Sequence, residues 1–257
     1  MRAQLIVLGS GTSMGVPTIG CECRVCRSQD PHDKRTRPSI LLAYDGRFVL
    51  IDTTPDFREQ AIRERLMRLD AVVYTHPHAD HILGLDDLRP LSFHRDGGRI
   101  PLYADQHTAE VIRSVFRYIF DSDYKYGGLA QVEMHEIDGP FELFGVRFEP
   151  ITVLHGDAEI NGFRFGSAAY LTDFSAIPES SMAALENLDI LFLDALRHKP
   201  HPTHSTVENS LRIVERLKPK RAFFTHICHD LLHEETNATF PPHVRLSHDG
   251  LKLDFEI

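Results

Sequence analysis

The sequence has 257 residues, 42% of them hydrophobic and 25% charged, so it is long enough for one large domain with a substantial core. Its 28 Lys and Arg against 37 Asp and Glu give a net charge of −9, which argues against an extended nucleic-acid surface. The chain has four cysteines, three of them crowded into positions 21–26, and this argues against a secreted disulfide scaffold.

The N-terminal residues 1–5 run directly into a strand-like segment and show no signal-peptide pattern. No apolar stretch approaches the roughly 18 residues that span a bilayer. We therefore expect a cytoplasmic protein that does not enter the membrane.

The first half of the chain predicts short buried strands with helices between them. A glycine-rich turn at 9–17 follows a strand at 5–8, but it lacks the G-x-G-x-x-G spacing and no amphipathic helix follows it. A dinucleotide site is therefore disfavoured, and we expect this turn to pass close to the metal centre that later motifs predict. The pair Asp45-Gly46 predicts a tight hairpin turn. The other elements predicted here are strands at 39–44, 47–52 and 71–75 and helices at 58–69 and 105–120.

The second half is richer in strands, with Gly or Asp turns between them. A capping box, Ser205-Thr206-Val207-Glu208, predicts the start of a helix that continues to Leu217. The other predicted elements are strands at 131–137, 141–143, 146–154, 162–165, 168–171, 190–193 and 221–225 and a helix at 178–188. Two strand-rich halves with helices outside them predict an α/β fold, a four-layer α/β/β/α sandwich. Because no linker divides the chain, we expect a single domain over residues 1–257.

The hexapeptide His76-Pro77-His78-Ala79-Asp80-His81 directly follows the predicted strand at 71–75. It places four metal-ligating side chains within six residues, and so short a loop cannot aim all four at one tetrahedral ion. Alternate residues His76 and His78 point the same way from an extended backbone, while Asp80 and His81 follow the turn. The arrangement therefore predicts two adjacent ions, one held by each pair.

Three further polar residues follow later strands and complete the set that a dinuclear site needs. The predicted ligands are His76, His78 and His155 for one ion, Asp80, His81 and His226 for the other, and Asp173 as a bridge. Imidazole and carboxylate ligands suit zinc, manganese or iron, and the sequence does not choose among them.

The pattern His76-x-His78-x-Asp80-His81, followed by His155, Asp173 and His226, resembles the metallo-β-lactamase superfamily of metal-dependent hydrolases. The resemblance covers nearly the whole chain. Its motif is specific to the superfamily and not to one substrate.

The motif Cys21-x-Cys23-x-x-Cys26 places three thiolates within six residues, which is typical of a zinc site in a cytoplasmic protein. Charged residues between and beside the cysteines argue against a buried apolar role for them. A fourth ligand must come from elsewhere, and the segment at 225–230 offers Cys228 and His229.

This layout resembles the PhnP-type phosphoribosyl 1,2-cyclic phosphate phosphodiesterases of bacterial phosphonate breakdown, in which a Cys3His zinc stands beside the dinuclear centre. The match covers 11–17, 20–23, the hexapeptide and 225–229. The resemblance implies that His229 is the fourth ligand of a structural zinc and that Cys228 is a bystander. Residues at about 20–37 would then form a zinc-binding loop.

The same resemblance implies a catalytic histidine before the capped helix, and His204 matches that position best. His204 would be the catalytic acid or base, with Asp80 and Asp173 acting in catalysis through the metal centre. His198 and His201, in the same segment, are expected to be solvated loop residues.

Four more polar residues are open to two interpretations each. Asp52 and Asp194 end apolar strands, and each is expected either to orient a metal-bound histidine or to be a simple turn carboxylate. Arg35 and Arg37 have the bidentate geometry that binds phosphate, but a solvated loop is the favoured interpretation for both.

These observations favour a phosphodiesterase in which a hydroxide on a dinuclear metal centre hydrolyses a small, cyclic ribosyl phosphodiester. One alternative on the same centre is a carboxyl-ester, thioester or lactone hydrolase, and another is a tRNA 3′-processing nuclease, which should carry a basic arm that is absent here. A non-catalytic metal scaffold or sensor should have lost ligands, whereas all seven are present. We expect a small phosphodiester substrate as the partner, and neither an extended nucleic acid nor a membrane. A homodimer is left open.

Overall fold

The computed structural model describes residues 1–93, 98–121, 123 and 127–257. Within these residues the strands form two mixed sheets of seven strands each. In order across the first sheet, the strands are Lys252–Glu256 (β14), Arg2–Gly9 (β1), Ser39–Tyr44 (β2), Arg47–Ile51 (β3), Ala71–Val73 (β4), Ile100–Ala104 (β5) and Val132–Glu136 (β6). In order across the second, they are Val244–Leu246 (β13), Arg221–Thr225 (β12), Ile190–Asp194 (β11), Ala168–Leu171 (β10), Ala158–Phe165 (β9), Val146–His155 (β8) and Phe141–Leu143 (β7).

The helices are short and connect these strands. The α-helices are Phe57–Arg63 (α1), Ala79–Ile82 (α2), Arg89–Phe93 (α3), Gln106–Val115 (α4), Arg117–Phe120 (α5), Glu179–Met182 (α6), Val207–Leu217 (α7) and His233–Asn237 (α8). Single 3₁₀ turns lie at Pro31–Asp33, Leu85–Leu88 and Ala183–Leu185. Among the described residues, none of the helices combines the length and the apolarity needed to cross a bilayer.

Side-chain alternation along the strands builds the four layers. In β1, Leu5 and Val7 point into a core shared by both sheets, whereas Ile6 and Leu8 point to the opposite face. That opposite face packs against residues of α1 and α4, and the outer face of the second sheet packs in the same way against α7. The predicted α/β/β/α sandwich is therefore confirmed.

The positions of the strands match the predictions more closely than those of the helices. The helix predicted at 58–69 ends at Arg63, because Arg65 takes a left-handed backbone (φ 53°) and the chain turns away. The helix predicted at 105–120 is broken at Phe116, whose φ and ψ are −104° and 37°. The helix predicted at 178–188 is reduced to α6 and a 3₁₀ turn, because the chain is extended again at Glu186.

The predicted capping box is wrong by one residue. Thr206 caps α7, because its side chain accepts the backbone N–H of Asn209. The hydroxyl of Ser205 turns inward instead and lies 2.8 Å from that of Ser210.

Arg35 is buried, which corrects the expectation of a solvated loop. Its side chain is enclosed, and its guanidinium donates to the carbonyls of Cys228 and Leu231 (3.0 and 2.8 Å) and to the Asp33 carboxylate (3.0 Å). The phosphate-binding alternative is also excluded for this residue, because all these partners belong to the protein. Arg35 thus fastens the loop before β2 to the segment after β12.

Arg37 likewise has protein partners, which corrects the same expectation. Its guanidinium donates to the Asp56 carboxylate over 2.8 Å and to the Ser13 carbonyl over 3.1 Å. The side chain is 29% exposed. Arg37 therefore fixes the glycine-rich turn to the segment that precedes α1.

Replacing Arg35 tests the importance of this connection for stability. Arg35→Met should lower the free energy of unfolding by about 3–5 kcal/mol, because it leaves the buried Asp33 carboxylate without its guanidinium partner. The exposed pair of Arg24 and Glu235 offers a matched control, and Arg24→Met should leave the unfolding midpoint nearly unchanged. Urea unfolding followed by circular dichroism measures both variants. Equal midpoints for the two variants would contradict the prediction.

Candidate metal centre

The candidate site lies at one edge of the two sheets, where several strands end. The hexapeptide follows β4, and His155 is the last residue of β8, while Asp173 and His226 come just after β10 and β12. The carboxyl ends of parallel neighbouring strands meet at the same edge of a sheet, so these side chains converge although they are far apart in the chain.

Three residues at this edge have a left-handed backbone, which is uncommon outside glycine. The φ angles are 66° at Asp52, 55° at Asp173 and 57° at His226. Such conformations are retained where the surrounding structure imposes them, and they concentrate at functional sites. Each one turns the chain sharply after a strand and aims a polar side chain into the centre.

His76, His78 and His155 form the first group of the centre. One ring nitrogen from each lies within 4.8 Å of the others. The Nδ1–H of His155 donates to the carbonyl of Thr203 (2.9 Å), and Nδ1 of His76 lies 3.0 Å from the Thr75 hydroxyl. These contacts engage Nδ1 of His155 and Nδ1 of His76, so Nε2 of each ring is left to bind a metal ion.

Asp80, His81, Asp173 and His226 form the second group, and all four are buried. The Nε2 atom of His81 lies 3.2 Å from Asp80 and 3.3 Å from Asp173, and Nε2 of His226 lies 3.0 Å from the other Asp173 oxygen. The atoms Asp80 Oδ2, His81 Nε2 and His226 Nε2 are buried without a hydrogen-bond partner. Buried nitrogen and oxygen atoms that converge without partners suit a divalent cation, so the donor set fits a metal ion.

Asp173 lies between the two groups. Its two oxygens contact different histidines of the second group, and it also forms a cluster with His155 and His204. The structure therefore brings together all seven side chains that the sequence predicted for a dinuclear site, with Asp173 at the position expected of a bridge.

The second group attracts positive charge. Burial disfavours the charged ring of His226, but Asp173 and Asp80 outweigh burial and raise its pKa to about 10. Despite burial, Asp80, Asp173 and Asp52 raise the pKa of His81 well above its usual value. In the first group, burial and neighbouring rings lower the pKa values of His76 and His78.

Asp52 and Asp194 each hold a histidine, so neither is a simple turn carboxylate. Asp52 is fully buried and accepts a hydrogen bond from Nδ1 of His81 (2.7 Å) and two from Thr75 (2.8 Å each). Asp194 is equally buried and accepts from Nδ1 of His204 (2.7 Å). Asp194 therefore orients the predicted catalytic histidine and not one of the predicted ligands.

His204 lies against both groups. Its ring stacks on that of His226 with centroids 4.5 Å apart, and its centroid is 4.9 Å from that of His155. Burial and the nearby His226 lower the pKa of His204 to about 4. Of its neighbours in the chain, His198 is exposed and paired with Glu208, as expected of a loop residue, whereas His201 is half-buried beside His204.

The cysteine cluster is gathered around one histidine. Nδ1 of His229 lies 3.2, 3.7 and 3.5 Å from the sulfurs of Cys21, Cys23 and Cys26. The four side chains form a group that could hold a metal ion, and Cys228 is buried outside that group. The geometry thus pairs the thiols with His229, as the resemblance implies.

The glycine-rich turn passes beside His226, as predicted. Gly11 forms a parallel bridge with Ile227, and the amide of Thr12 donates to the Ile227 carbonyl over 3.1 Å. A Cβ at Gly11 would lie 2.8 Å from the carbonyl oxygen of Arg35, so the close approach requires glycine.

A cavity of about 300 Å³, with polar and apolar lining residues, opens beside the first group. Its other polar lining residues could not be predicted from the sequence, because none of them belongs to a recognisable motif. These residues are Asp105, His107, Thr108, Thr152, Glu159 and Asn161.

Comparisons with known proteins agree with this geometry. The family model described as "Beta-lactamase superfamily domain" matches residues 47–227. The crystal structure of a diphosphatase from the PhnP family has a TM-score of 0.94 and 64% identity, and the match covers 99% of this chain and 98% of that one. Zn²⁺-bound PqqB from Methylobacterium extorquens has a TM-score of 0.77 and 21% identity, covering 98% and 100% of the two chains, which supports the fold.

One relative is longer than this chain. An octanoyltransferase from Porphyromonas gingivalis is 40% identical over 252 residues, which are 96% of this chain. The chain spans 50% of the length of that relative.

Asp52→Asn tests how the second group is held. We expect about 10- to 100-fold weaker metal binding there, because Asn keeps the shape and the left-handed backbone but loses the carboxylate that orients His81. Competition with a fluorescent chelator measures the affinity. Asp45→Asn is the matched control, since Asp45 is exposed and also has a positive φ of 46°. Equal affinities in the two variants would argue against this role.

Metal uptake should release protons from the second group. The pKa of His226 is raised to about 10, so its ring is protonated at pH 7.5 in chelator-treated protein, and the pKa of His81 is raised in the same direction. Because imidazole binds metal only when neutral, loading this group should release about one proton or more, and its affinity should rise with pH. Titration calorimetry in buffers of different ionisation enthalpy counts these protons. A binding enthalpy that does not change with the buffer would refute the prediction.

Proposed function

We propose that this chain, which belongs to the β-lactamase superfamily, is a phosphodiesterase that hydrolyses a small, cyclic ribosyl phosphodiester. The fold and the family make it a metal-dependent hydrolase. The substrate class is the proposal, and the 64% identity with a PhnP-family diphosphatase supports reaction at phosphorus over reaction at an acyl carbon.

The observation that carries the proposal is the position of His204. Its ring lies against His226 and His155, one from each group, while Asp194 holds its Nδ1–H. This hydrogen bond leaves Nε2 as the atom that exchanges a proton. A histidine with that freedom, beside two groups of metal ligands, is the arrangement that ester cleavage needs for a poor leaving group.

The residues of the centre suit two divalent ions. We propose that His76, His78 and His155 hold one ion, that Asp80, His81 and His226 hold the other, and that Asp173 bridges them. When bound, such ions acidify water and offset negative charge on phosphate oxygens. Cys21, Cys23, Cys26 and His229 would hold a third, structural zinc ion.

His204 would supply the proton that the leaving group needs. An anionic phosphodiester beside Nε2 favours the protonated ring, which offsets the effect of burial on the pKa of His204. The imidazolium keeps its Nδ1–H on Asp194 and donates its Nε2–H to the departing sugar oxygen, so an alcohol leaves in place of an alkoxide. Asp194 fixes the ring in the orientation that this transfer requires.

The cavity beside the first group suits a small polar substrate. Its volume is about 300 Å³, and carboxylate, amide, hydroxyl and imidazole groups share its lining with Pro77, Ala158 and Ile160. Asp105 and Asn161 are hydrogen-bonded to each other over 2.9 Å, which keeps this wall rigid. Ribose hydroxyls match the polar groups of this lining.

A thioester or ester hydrolase acting on an acyl group is the second candidate, because one relative is named an octanoyltransferase. The chain matches 50% of that relative, so the name does not fix the activity of the shared half. We rank this candidate second because the match to the PhnP-family diphosphatase covers nearly the whole of both chains at 64% identity. The single domain, the cytoplasmic location, the absence of a nucleic-acid partner and a homodimer stay predictions.

Two substrates with different leaving groups test the role of His204. His204→Ala should slow cleavage of an alkyl phosphodiester by about 10²- to 10⁴-fold, because an alkoxide must leave unprotonated. Cleavage of bis(p-nitrophenyl) phosphate should fall far less, since nitrophenolate is a good leaving group. Steady-state rates of the metal-loaded protein with both substrates give the comparison.

Two further variants complete this test. Asp194→Asn should also slow cleavage of the alkyl phosphodiester more than that of bis(p-nitrophenyl) phosphate, but by a smaller factor than His204→Ala. The His204 ring is still present in this variant but is no longer held in its orientation. His198→Ala, at an exposed histidine paired with Glu208, should match the parent protein. Equal losses with both substrates in His204→Ala would disprove the proposed proton transfer. Faster turnover of an octanoyl thioester than of any phosphodiester would favour the second candidate.

A further inference from the structure

A second cluster of three histidines lies outside both groups of ligands described above and outside the cysteine cluster. His32 belongs to the 3₁₀ turn Pro31–Asp33, His233 is the first residue of α8, and His248 follows β13. The cluster therefore joins three segments that are distant in the chain. Neither the sequence motifs nor the proposed reaction uses any of these residues.

The spacing of the three rings in this cluster is similar to that of the first group of the candidate centre. Its centroids are 4.6 Å (His32–His233), 4.2 Å (His32–His248) and 5.7 Å (His233–His248) apart. The three rings of the first group are separated by 4.6, 5.6 and 5.0 Å. Two imidazoles that share one zinc at a Zn–N distance of about 2.0–2.1 Å have centroids about 5 Å apart. The cluster thus has the spacing of a trihistidine site.

The free nitrogen atoms point to a bound ligand. His233 is 5% exposed, and its Nδ1 atom is buried without a hydrogen-bond partner. An unpaired buried nitrogen costs about 1–3 kcal/mol, so a ligand at this atom would stabilise the fold. The Nδ1–H of His248 donates to the Asp249 carbonyl (3.2 Å), which leaves the lone pair of that ring on Nε2.

The surroundings also provide a fourth donor. One carboxylate oxygen of Glu234, one ring nitrogen of His32 and one ring nitrogen of His233 lie within 4.8 Å of one another. Glu234 is exposed and directly follows His233. Three imidazoles and one carboxylate form a donor set that suits a zinc-like transition-metal ion.

The rings are available in the neutral form that binds metal. Burial, followed by the nearby His32 and Arg35, lowers the pKa of His233 to about 4. Burial also lowers the pKa of His248. At neutral pH these two rings therefore carry no proton that an incoming ion must displace.

The backbone holds His233 in place before any ion binds. Its N–H donates to Asp33 Oδ1 over 2.8 Å, and Asp33 is itself paired with the buried Arg35. The site is therefore preformed on a rigid support.

We propose that His32, His233 and His248, completed by Glu234, bind a further zinc ion. The ion would clamp the segment before β2 to α8 and to the loop after β13. The first two segments adjoin the cysteine cluster, since Lys34 donates to the Cys26 carbonyl and Leu232 packs against the cysteines, so the ion would reinforce the zinc-binding loop.

Zinc titration of the metal-loaded protein tests this site. The protein is first dialysed until its metal content is constant and is then equilibrated with micromolar ZnCl₂. Bound zinc is measured by inductively coupled plasma mass spectrometry. We expect one more equivalent per chain in the parent protein than in His32→Ala or His233→Asn. We also expect zinc to raise the melting temperature of the parent protein more than that of either variant.

Two variants keep the result interpretable. The His32 side chain is 40% exposed, so His32→Ala should fold normally even if His233→Asn is less stable. His243→Asn is the matched control, because His243 is exposed and should keep the extra equivalent. If the parent protein takes up no further zinc, or if His32→Ala keeps the extra equivalent, the proposal is wrong. Its failure would leave the proposed phosphodiesterase activity untouched, since that activity is measured separately.

Discussion

Two carboxylates buried side by side constrain the whole structure. Asp80 and Asp173 are 8% and 2% exposed, and removing an ionised carboxylate from water costs several kcal/mol when nothing compensates it. His81 and His226 approach these oxygens at 3.0 to 3.6 Å, so positive charge must reside between the four side chains whether protons or metal ions supply it. The rest of the site serves this requirement: Asp52 turns His81 toward the centre, and a left-handed backbone aims Asp173 and His226.

The topology of the sandwich provides the edge at which these buried carboxylates and histidines come together. Parallel strands in each sheet end at a common edge, and the loops that follow them carry the polar side chains, while the alternating strand residues fill three separate apolar layers. Because the core lies elsewhere, the edge tolerates conformations and buried charges that would be costly in a strand. Arg35 and the glycine-rich turn then close this edge from the N-terminal side.

Much of this arrangement could be predicted because it follows short-range rules. The strands alternate clearly, and polar residues at strand ends, such as His155 and Asp173, are enough to indicate a shared edge. One error occurred where a distant segment decides the outcome, and the others occurred where local contacts end a helix or move its cap. Arg35 looks like a surface residue in a basic stretch, and only the carbonyls of Cys228 and Leu231, some 190 residues later, explain its burial. Thr206 replaces Ser205 as the helix cap because Ser205 has a partner in the interior. His32, His233 and His248 carry no motif, because each comes from a different segment.

The separation between the three thiols and His229 has a consequence for biosynthesis. Cys21 and His229 are 208 positions apart, so at 5–20 residues per second a ribosome adds the histidine roughly 10–40 s after the cysteines. During that interval a nascent chain would present Cys21, Cys23 and Cys26 to the cell without their fourth partner. Zinc captured then would keep one coordination position open to glutathione or another thiol, and β12 must dock before the site closes. Closure of the cysteine cluster therefore waits for the synthesis and docking of the segment that carries His229, long after its three thiols have been made.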